Sequence, residues 1–218
     1  MNEELLYKII KIIPKPLRKI IKKFYSPKIY IPNKVGYGER VMSEQEEEFF
    51  ISKLKSVESI EGDVVEFGVF KGGSLLVMAR STSKKIYGLD TFEGLPKPNK
   101  EIDGEKSYII KMNNTNVFAV QNMLNKNNID NVELMQGLFK DTILELKDKR
   151  FSFAYVDCDL YEGTKQALEF LMPRMNKGGI IAIDDFCSNY YLGVRKAVLE
   201  FFKEEGLERN GGQVYIKI

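Results

Sequence analysis

The sequence predicts an α/β fold with a mostly parallel sheet and an antiparallel strand at the C-terminal end. From residue 63 onward, short apolar segments of strand character alternate with amphipathic helical segments, as expected for parallel strands joined by crossover helices. The chain ends in two short segments around Gly211 and Gly212, a pattern typical of a hairpin. A length of 218 residues fits a single core.

Each element follows from the spacing of its apolar residues. Ser43 precedes an acidic first turn and is predicted to cap a helix that runs to about Val57. Runs rich in Val, Ile and Phe predict strands, and apolar residues three or four positions apart predict helices. The predicted strands cover residues 63–67, 85–89, 132–136, 153–156, 179–183, 207–210 and 213–218. The predicted helices cover residues 74–80, 117–125, 142–146, 164–172 and 191–205.

Residues 1–40 are predicted to form an N-terminal extension and connector, with the main domain over residues 41–218. Residues 1–25 have the pattern of two short amphipathic helices separated by Pro14 and Pro16, and they are rich in lysine. We favour a packing or dimerisation arm and therefore expect a homo-oligomer. The alternative is peripheral contact between residues 1–25 and an anionic membrane.

Composition excludes several classes of function. The 33 basic and 31 acidic residues nearly cancel, so the chain shows no overall charge signature of nucleic-acid binding. Cys158 and Cys187 lack the spacing of a metal knuckle, and no apolar run would cross a bilayer. We expect a cytoplasmic protein, or one at the inner membrane surface if the arm binds lipid. With no histidine, any metal must be held by oxygen.

A glycine-rich segment lies where the first strand should turn into the next helix. Such glycines allow a ligand to approach the backbone closely, although a tight packing turn explains them about equally well. The segment lacks the glycine spacing of a dinucleotide site. The candidate cofactor-binding residues here are Glu66, Gly68, Val69, Phe70, Gly72 and Ser74.

A second candidate segment begins at Asp90, at the predicted carboxyl end of the second strand. An acid there, about 20 residues after the glycine loop, is suited to accept both ribose hydroxyls of an adenosine-type ligand. The alternative is that Asp90 caps a turn. Thr91 and Phe92 are candidate cofactor contacts beside it.

Acidic residues also follow the fourth and fifth strands. Asp157, Asp184 and Asp185 should meet at one edge of the sheet, where carboxylate oxygens suit Mg²⁺ or another hard divalent cation. We favour a metal site over simple helix capping, because three adjacent carboxylates without a basic partner repel one another. Such a cation would lower the pKa of a substrate hydroxyl.

These motifs together resemble the macrocin O-methyltransferase family, whose members methylate sugar hydroxyls on macrolides and related glycosylated products. Several unusual strings in one chain make the resemblance far more specific than one glycine motif. The markers lie between roughly residues 60 and 200. They are residues 66–74 (EFGVFKGGS), 90–96 (DTFEGLP), 137–142 (GLFKDT), 156–162 (VDCDLYE) and the segment from Pro173-Arg174 through Gly178-Gly179 to Asp184-Asp185.

The resemblance implies a Rossmann-like class I methyltransferase fold that binds S-adenosyl-L-methionine and Mg²⁺. It places Glu66 and Gly68 near the methionine part of the cofactor and Asp90 on its ribose. Gly137 and Asp157 are further cofactor contacts. Family members are expected to use a histidine base, which this chain lacks, so Asp159, Tyr161 and Glu162 are its substitutes. The candidate catalytic residues are Asp157, Asp159 and Tyr161.

The resemblance also implies a small-molecule or glycan acceptor with a free hydroxyl and no nucleic-acid partner. Two other functions share parts of the pattern. A nicotinamide-dependent oxidoreductase would use the same fold and ribose acid, but it would give the acidic cluster no task. A non-catalytic nucleoside-binding or scaffolding module would use the carboxylates only as helix caps.

Overall fold

The computed structural model of the protein describes residues 35–39, 42–108 and 111–218. The predictions for the amphipathic arm lie outside these residues. Within the described ranges, every helix is too short or too polar to traverse a lipid bilayer.

Seven strands form one sheet in the order β3-β2-β1-β4-β5-β7-β6. Strands β1 to β5 pair in parallel, whereas β7 pairs antiparallel with both β5 and β6. The predicted parallel sheet with an antiparallel C-terminal end is confirmed. The strands are β1 Asp63–Phe67, β2 Ile86–Asp90, β3 Val132–Gln136, β4 Phe151–Val156, β5 Met175–Ile183, β6 Glu208–Asn210 and β7 Gln213–Lys217.

Helices cover both faces of this sheet. The first described helix begins at the predicted cap Ser43, which forms a capping box with Glu46: each side chain accepts the backbone N–H of the other residue. The α-helices are α1 Glu44–Ser56, α2 Gly73–Ser81, α3 Lys100–Asp103, α4 Val117–Lys126, α5 Phe139–Thr142, α6 Tyr161–Leu171 and α7 Leu192–Phe201. Short 3₁₀ turns occupy Glu105–Tyr108, Ile143–Leu146 and Glu204–Gly206.

The core consists of two apolar layers, one on each face of the sheet. Alternate residues of each strand point to opposite faces, so Val64 and Val65 belong to different layers. Helices α1, α2 and α4 cover one layer, and α6 and α7 cover the other. The result is a three-layer α/β/α arrangement that leaves the carboxyl ends of the parallel strands free to form a site.

Several boundaries differ from the predictions, and β4 and β5 begin at Phe151 and Met175 instead of residues 153 and 179. The last helix ends at Phe201 instead of continuing to residue 205; the backbone becomes extended at Phe202, and both phenylalanine side chains pack against the core. Helix α6 begins at Tyr161, three residues earlier than predicted. The buried Asp103 carboxylate accepts the Tyr161 N–H at 2.7 Å and so caps α6 from a distant segment. The short helix that carries Asp103 was not predicted.

Gly68 joins the glycine-rich loop to the end of β4. Its φ angle is +91°, and a Cβ at this position would lie 1.9 Å from the carbonyl oxygen of Asp157. Only glycine fits here, and the reason is contact between two backbones at the switch point of the sheet. Gly68 is therefore required for packing. Its contact with Asp157 also sets the distance between the two loops that carry the candidate site.

We expect Gly68→Ala to lower the free energy of unfolding by about 2 kcal/mol or more, because it adds both a left-handed backbone penalty and a backbone clash. Chemical denaturation measures the change. Gly206→Ala is the matched control, since a Cβ at Gly206 meets no atom within 4 Å. That control should stay within about 1 kcal/mol of the parent protein. Equal losses in both variants would contradict the packing role of Gly68.

Candidate active site

The candidate site lies at the edge of the sheet where the parallel strands end. Here β1 and β4 are neighbours, but the next strand after β1 lies on one side of this pair and the next strand after β4 lies on the other side. Open α/β sheets bind ligands at such a switch point. The loop after β1 carries the glycine-rich segment, β2 ends at Asp90, and Asp157 and Asp184 directly follow β4 and β5. The predicted candidate segments therefore come together in three dimensions.

Asp90 organises the glycine-rich loop. Its Oδ2 atom accepts the backbone N–H groups of Val69 and Phe70 at 2.8 Å each, and its Oδ1 atom accepts the N–H of Phe92 at 2.7 Å. Phe70 and Phe92 have φ angles of +50° and +56°, which are unfavourable for bulky residues. The carboxylate thus holds two strained turns in place, and the capping role considered for Asp90 is present in the structure.

Several predicted cofactor contacts are also packing residues. Val69 and Phe92 are buried in the apolar layer beneath the loop. Gly72 has a φ angle of +76°, and a Cβ there would lie 2.7 Å from the Met123 side chain. Thr91 donates its hydroxyl to the carbonyl of Gly94. These residues shape the loops after β1 and β2 through packing and backbone contacts.

Among the predicted cofactor residues in the described ranges, Glu66 is the one with a buried polar side-chain atom that lacks a partner. The side chain is fully buried, and Ser74 Oγ donates to its Oε1 atom. The Oε2 atom has no hydrogen-bond partner within the described ranges. Burial, opposed by the Ser74 hydrogen bond and assisted by the charge of Asp90, raises the pKa of Glu66 to about 8. A buried acceptor without a donor is costly, so this oxygen suits a ligand N–H or O–H.

Three aspartates form the tightest acidic group in the described part of the chain. Oxygen atoms of Asp157, Asp159 and Asp185 all lie within 4.8 Å of one another. This set differs from the predicted one, because Asp159 takes the place of Asp184. Asp184 instead accepts the Tyr155 hydroxyl at 2.9 Å through Oδ2 and the Asp185 N–H at 3.0 Å through Oδ1.

The charges of these carboxylates oppose one another. Burial and the charge of Asp184 raise the pKa of Asp157 and of Asp185 well above the usual range of an aspartate. The same two causes raise the pKa of Asp159 to about 7. Burial also raises the pKa of Asp184, and the Tyr155 hydrogen bond counteracts part of this effect. All four carboxylates therefore lie near one point where a cation would relieve their repulsion.

Asp159 and Asp185 also have left-handed backbones, with φ angles of +59° and +57°. Non-glycine residues in this region are uncommon and occur often at functional sites, although aspartate tolerates the conformation better than most residues. The strain is a second feature, independent of charge, that distinguishes these two aspartates.

Tyr161 and Glu162 do not join the cluster. The Tyr161 hydroxyl donates to Glu200 at 2.7 Å on the protein surface and accepts from Lys165 at 3.2 Å. Glu162 accepts an amide hydrogen from Gln166 one turn along the same helix. Both side chains form hydrogen bonds on the surface of the helix. The structure therefore does not support the catalytic role predicted for Tyr161.

Two tyrosines beside the carboxylates were missed in the sequence. Tyr155 lies two positions before Asp157, on the same face of β4, and this alternation was the available signal. Tyr191 follows β5, and burial together with the charges of Asp159 and Asp185 raises its pKa. No local pattern marks Tyr191, because the fold alone brings it to the cluster.

The profile described as Macrocin-O-methyltransferase (TylF) matches residues 39–214, most of the chain. The chain belongs to the macrocin O-methyltransferase family. The family resemblance seen in the sequence is thereby confirmed. The match covers all seven sheet segments apart from the last residues of β7.

Two curated relatives support this assignment. The 8-demethyl-8-(2,3-dimethoxy-alpha-L-rhamnosyl)-tetracenomycin-C 4'-O-methyltransferase of Streptomyces olivaceus is 32% identical over 142 residues, which are 59% of this chain and 54% of the relative. Mycinamicin III 3''-O-methyltransferase of Micromonospora griseorubida is 29% identical over 167 residues, 69% of this chain and 64% of the relative. The chain thus spans between about half and two thirds of the length of these relatives.

Solved structures show the same fold as this macrocin O-methyltransferase family member. The O-methyltransferase NovP aligns with a TM-score of 0.70 and 20% identity over 88% of this chain and 90% of NovP. The calicheamicin methyltransferase CalS11 aligns with a TM-score of 0.70 and 21% identity over 98% of this chain and 90% of CalS11. The predicted class I methyltransferase fold is confirmed.

We expect Glu66→Gln to flatten the pH dependence of stability. The raised pKa means that folded protein holds a proton on Glu66 that unfolded protein releases, so the free energy of unfolding falls as pH rises from about 4.5 to about 8. Relative to the variant, the parent should lose up to about 1.4 kcal/mol per pH unit in this window. Denaturation curves at several pH values measure the difference. Parallel pH profiles for the two proteins would rule out a protonated Glu66.

Proposed function

We propose that this chain is an S-adenosylmethionine-dependent O-methyltransferase that acts, with a divalent metal, on a hydroxyl of a sugar or glycosylated acceptor. The proposal rests on the observation that two features lie at the same switch point of the sheet. One is the buried Glu66 oxygen that has no hydrogen-bond partner in the described ranges, and the other is the nearby group of Asp157, Asp159 and Asp185, with Asp184 adjacent to it. Family membership supports methyl transfer, and the names of the relatives support sugar acceptors.

The glycine-rich crevice fits S-adenosylmethionine. The free Glu66 Oε2 atom is suited to accept an N–H of the cofactor's α-amino group, whose positive charge would favour the ionised carboxylate. Asp90 lies at the carboxyl end of β2, the position of a ribose acceptor. Its oxygens already hold three loop N–H groups, so contact with ribose would use their remaining lone pairs. Gly137 donates its N–H to the Asp90 carbonyl and places β3 at the same crevice.

The aspartate cluster fits a hard divalent cation such as Mg²⁺. All the nearby donors are carboxylate oxygens, the ligand type that Mg²⁺ prefers. Asp157 and Asp185 belong to both the predicted set and the observed group, so we assign them as ligands. We retain Asp184 as the third predicted ligand because its charge is the largest one acting on the other three aspartates.

Different residues of the chain would perform different parts of the reaction. S-adenosylmethionine supplies a sulfonium methyl group, and a bound cation lowers the pKa of the acceptor hydroxyl. Asp159 is suited to accept the hydroxyl proton, because its carboxylate lies within 4.8 Å of those of Asp157 and Asp185 at the proposed cation site. The hydroxyl oxygen then forms the new bond to the methyl carbon as the carbon–sulfur bond breaks, and sulfur keeps the electron pair. Glu66, Asp90 and the glycine loop would hold the reacting atoms in line.

Binding measurements test this proposal directly. Isothermal titration of S-adenosylhomocysteine should show binding, whereas NAD should show none, because the glycine loop lacks the dinucleotide spacing. Transfer of a radiolabelled methyl group to a panel of nucleotide sugars and glycosides then identifies the acceptor. NAD binding without S-adenosylhomocysteine binding would instead favour an oxidoreductase, and binding of neither would favour a scaffolding module.

The double variant Asp184→Asn, Asp185→Asn separates the metal from the cofactor. We expect it to lose methyl transfer and to retain affinity for S-adenosylhomocysteine. In EDTA the variant should melt at a higher temperature than the parent, because two mutually repelling buried charges are removed. Added Mg²⁺ should raise the melting temperature of the parent and leave that of the variant unchanged. Full activity in the variant would exclude the metal mechanism.

A further inference from the structure

A chain of buried hydrogen bonds runs from the C-terminal strand to Asp184. The Tyr215 hydroxyl donates to Gln213 Oε1 at 2.5 Å, and Gln213 Nε2 donates to the Tyr155 hydroxyl at 3.2 Å. The Tyr155 hydroxyl donates to Asp184 Oδ2 at 2.9 Å. Tyr155, Gln213 and Tyr215 are each at most 2% exposed, so water does not compete for these bonds.

The carboxylate fixes the direction of every bond in this chain. An ionised Asp184 can only accept, so Tyr155 must donate its single hydroxyl hydrogen to it. Tyr155 must then accept from the amide of Gln213, which turns the Gln213 oxygen toward Tyr215. Three donors in series thus point toward the aspartate cluster, and each polarises the next.

Packing fixes the same chain in space. The Tyr155 ring packs edge-on against Phe50 of α1, with a centroid distance of 4.9 Å. The backbone N–H of Asp184 donates to the Val156 carbonyl at 2.9 Å, and Asp184 Oδ1 accepts the N–H of Asp185. Asp184 is therefore held through its backbone and through both carboxylate oxygens, with the Tyr155 hydroxyl as a side-chain donor to Oδ2.

We propose that Tyr155 is a positioning residue for the cation site, through which Gln213 and Tyr215 fix the orientation of Asp184. This inference rests on the proposed metal site and extends it to residues outside the cluster. Outer-shell hydrogen bonds to metal-binding carboxylates orient them and tune the affinity for the metal. The antiparallel strand β7, which supplies Gln213 and Tyr215, thereby contributes to the site as well as to the sheet.

Tyr155→Phe tests the proposal, because it removes the donor and keeps the ring against Phe50. We expect the dissociation constant for Mn²⁺, measured by isothermal titration without cofactor, to rise about 10- to 100-fold. Affinity for S-adenosylhomocysteine should not change. Tyr215→Phe, two bonds further away, should raise the Mn²⁺ dissociation constant by a smaller factor. Tyr87→Phe is the matched control, since Tyr87 is a buried tyrosine of the opposite apolar layer and should bind Mn²⁺ as the parent does.

The double variant Tyr155→Phe, Tyr215→Phe distinguishes positioning from general loosening of the core. If Tyr215 acts only through Tyr155, the double variant should bind Mn²⁺ as weakly as Tyr155→Phe alone. Two results would overturn the inference and leave the metal site intact. One is a double variant in which the increases in the Mn²⁺ dissociation constant from the two single variants multiply, and the other is unchanged Mn²⁺ binding in Tyr155→Phe. A parent protein that binds no Mn²⁺ would overturn the metal site itself and this inference with it.

Discussion

Repulsion among buried and partly buried carboxylates is the constraint on which the architecture of this site depends. Asp157, Asp159, Asp184 and Asp185 converge because β4 and β5 are parallel neighbours and end at the same edge of the sheet. Their burial raises the pKa of each, which means that the folded chain holds them against an electrostatic cost. Proteins accept such a cost where function requires it, and a site for a hard cation is the function that these oxygens fit.

Different interactions hold the individual acidic side chains at this edge of the sheet. Asp90 is surrounded by three backbone N–H groups and needs no cation. Asp184 receives a directed chain of side-chain donors, and Asp159 and Asp185 have strained left-handed backbones. Asp90 and Asp184 are thus fixed by protein donors before any ligand arrives. Preorganisation of this kind reduces the cost of binding and of reaction.

The glycine-rich loop shows how packing and binding share the same residues. Gly68 is required by the Asp157 carbonyl, and Gly72 by the side chain of Met123 on α4. These contacts place the loop against the end of β4, which sets the separation between the Glu66 crevice and the aspartate cluster. A packing turn and a cofactor loop were alternatives in the sequence, but in the structure the packing turn is what builds the crevice. Family membership and the fold then agree with methyl transfer at that position.

The sequence by itself determined the order of strands and helices, the sheet type and the segments that form the site, because periodicity and strand-end residues are local properties. It also determined the family. The tertiary structure alone decided that Asp159 joins the cluster, that Tyr161 turns toward Glu200, and that Asp103 caps α6 from 58 residues away. It likewise brought Gln213 and Tyr215 of β7 to the Tyr155 hydroxyl. Side-chain direction and distant hydrogen bonds depend on which elements pack together, and no local pattern encodes that choice.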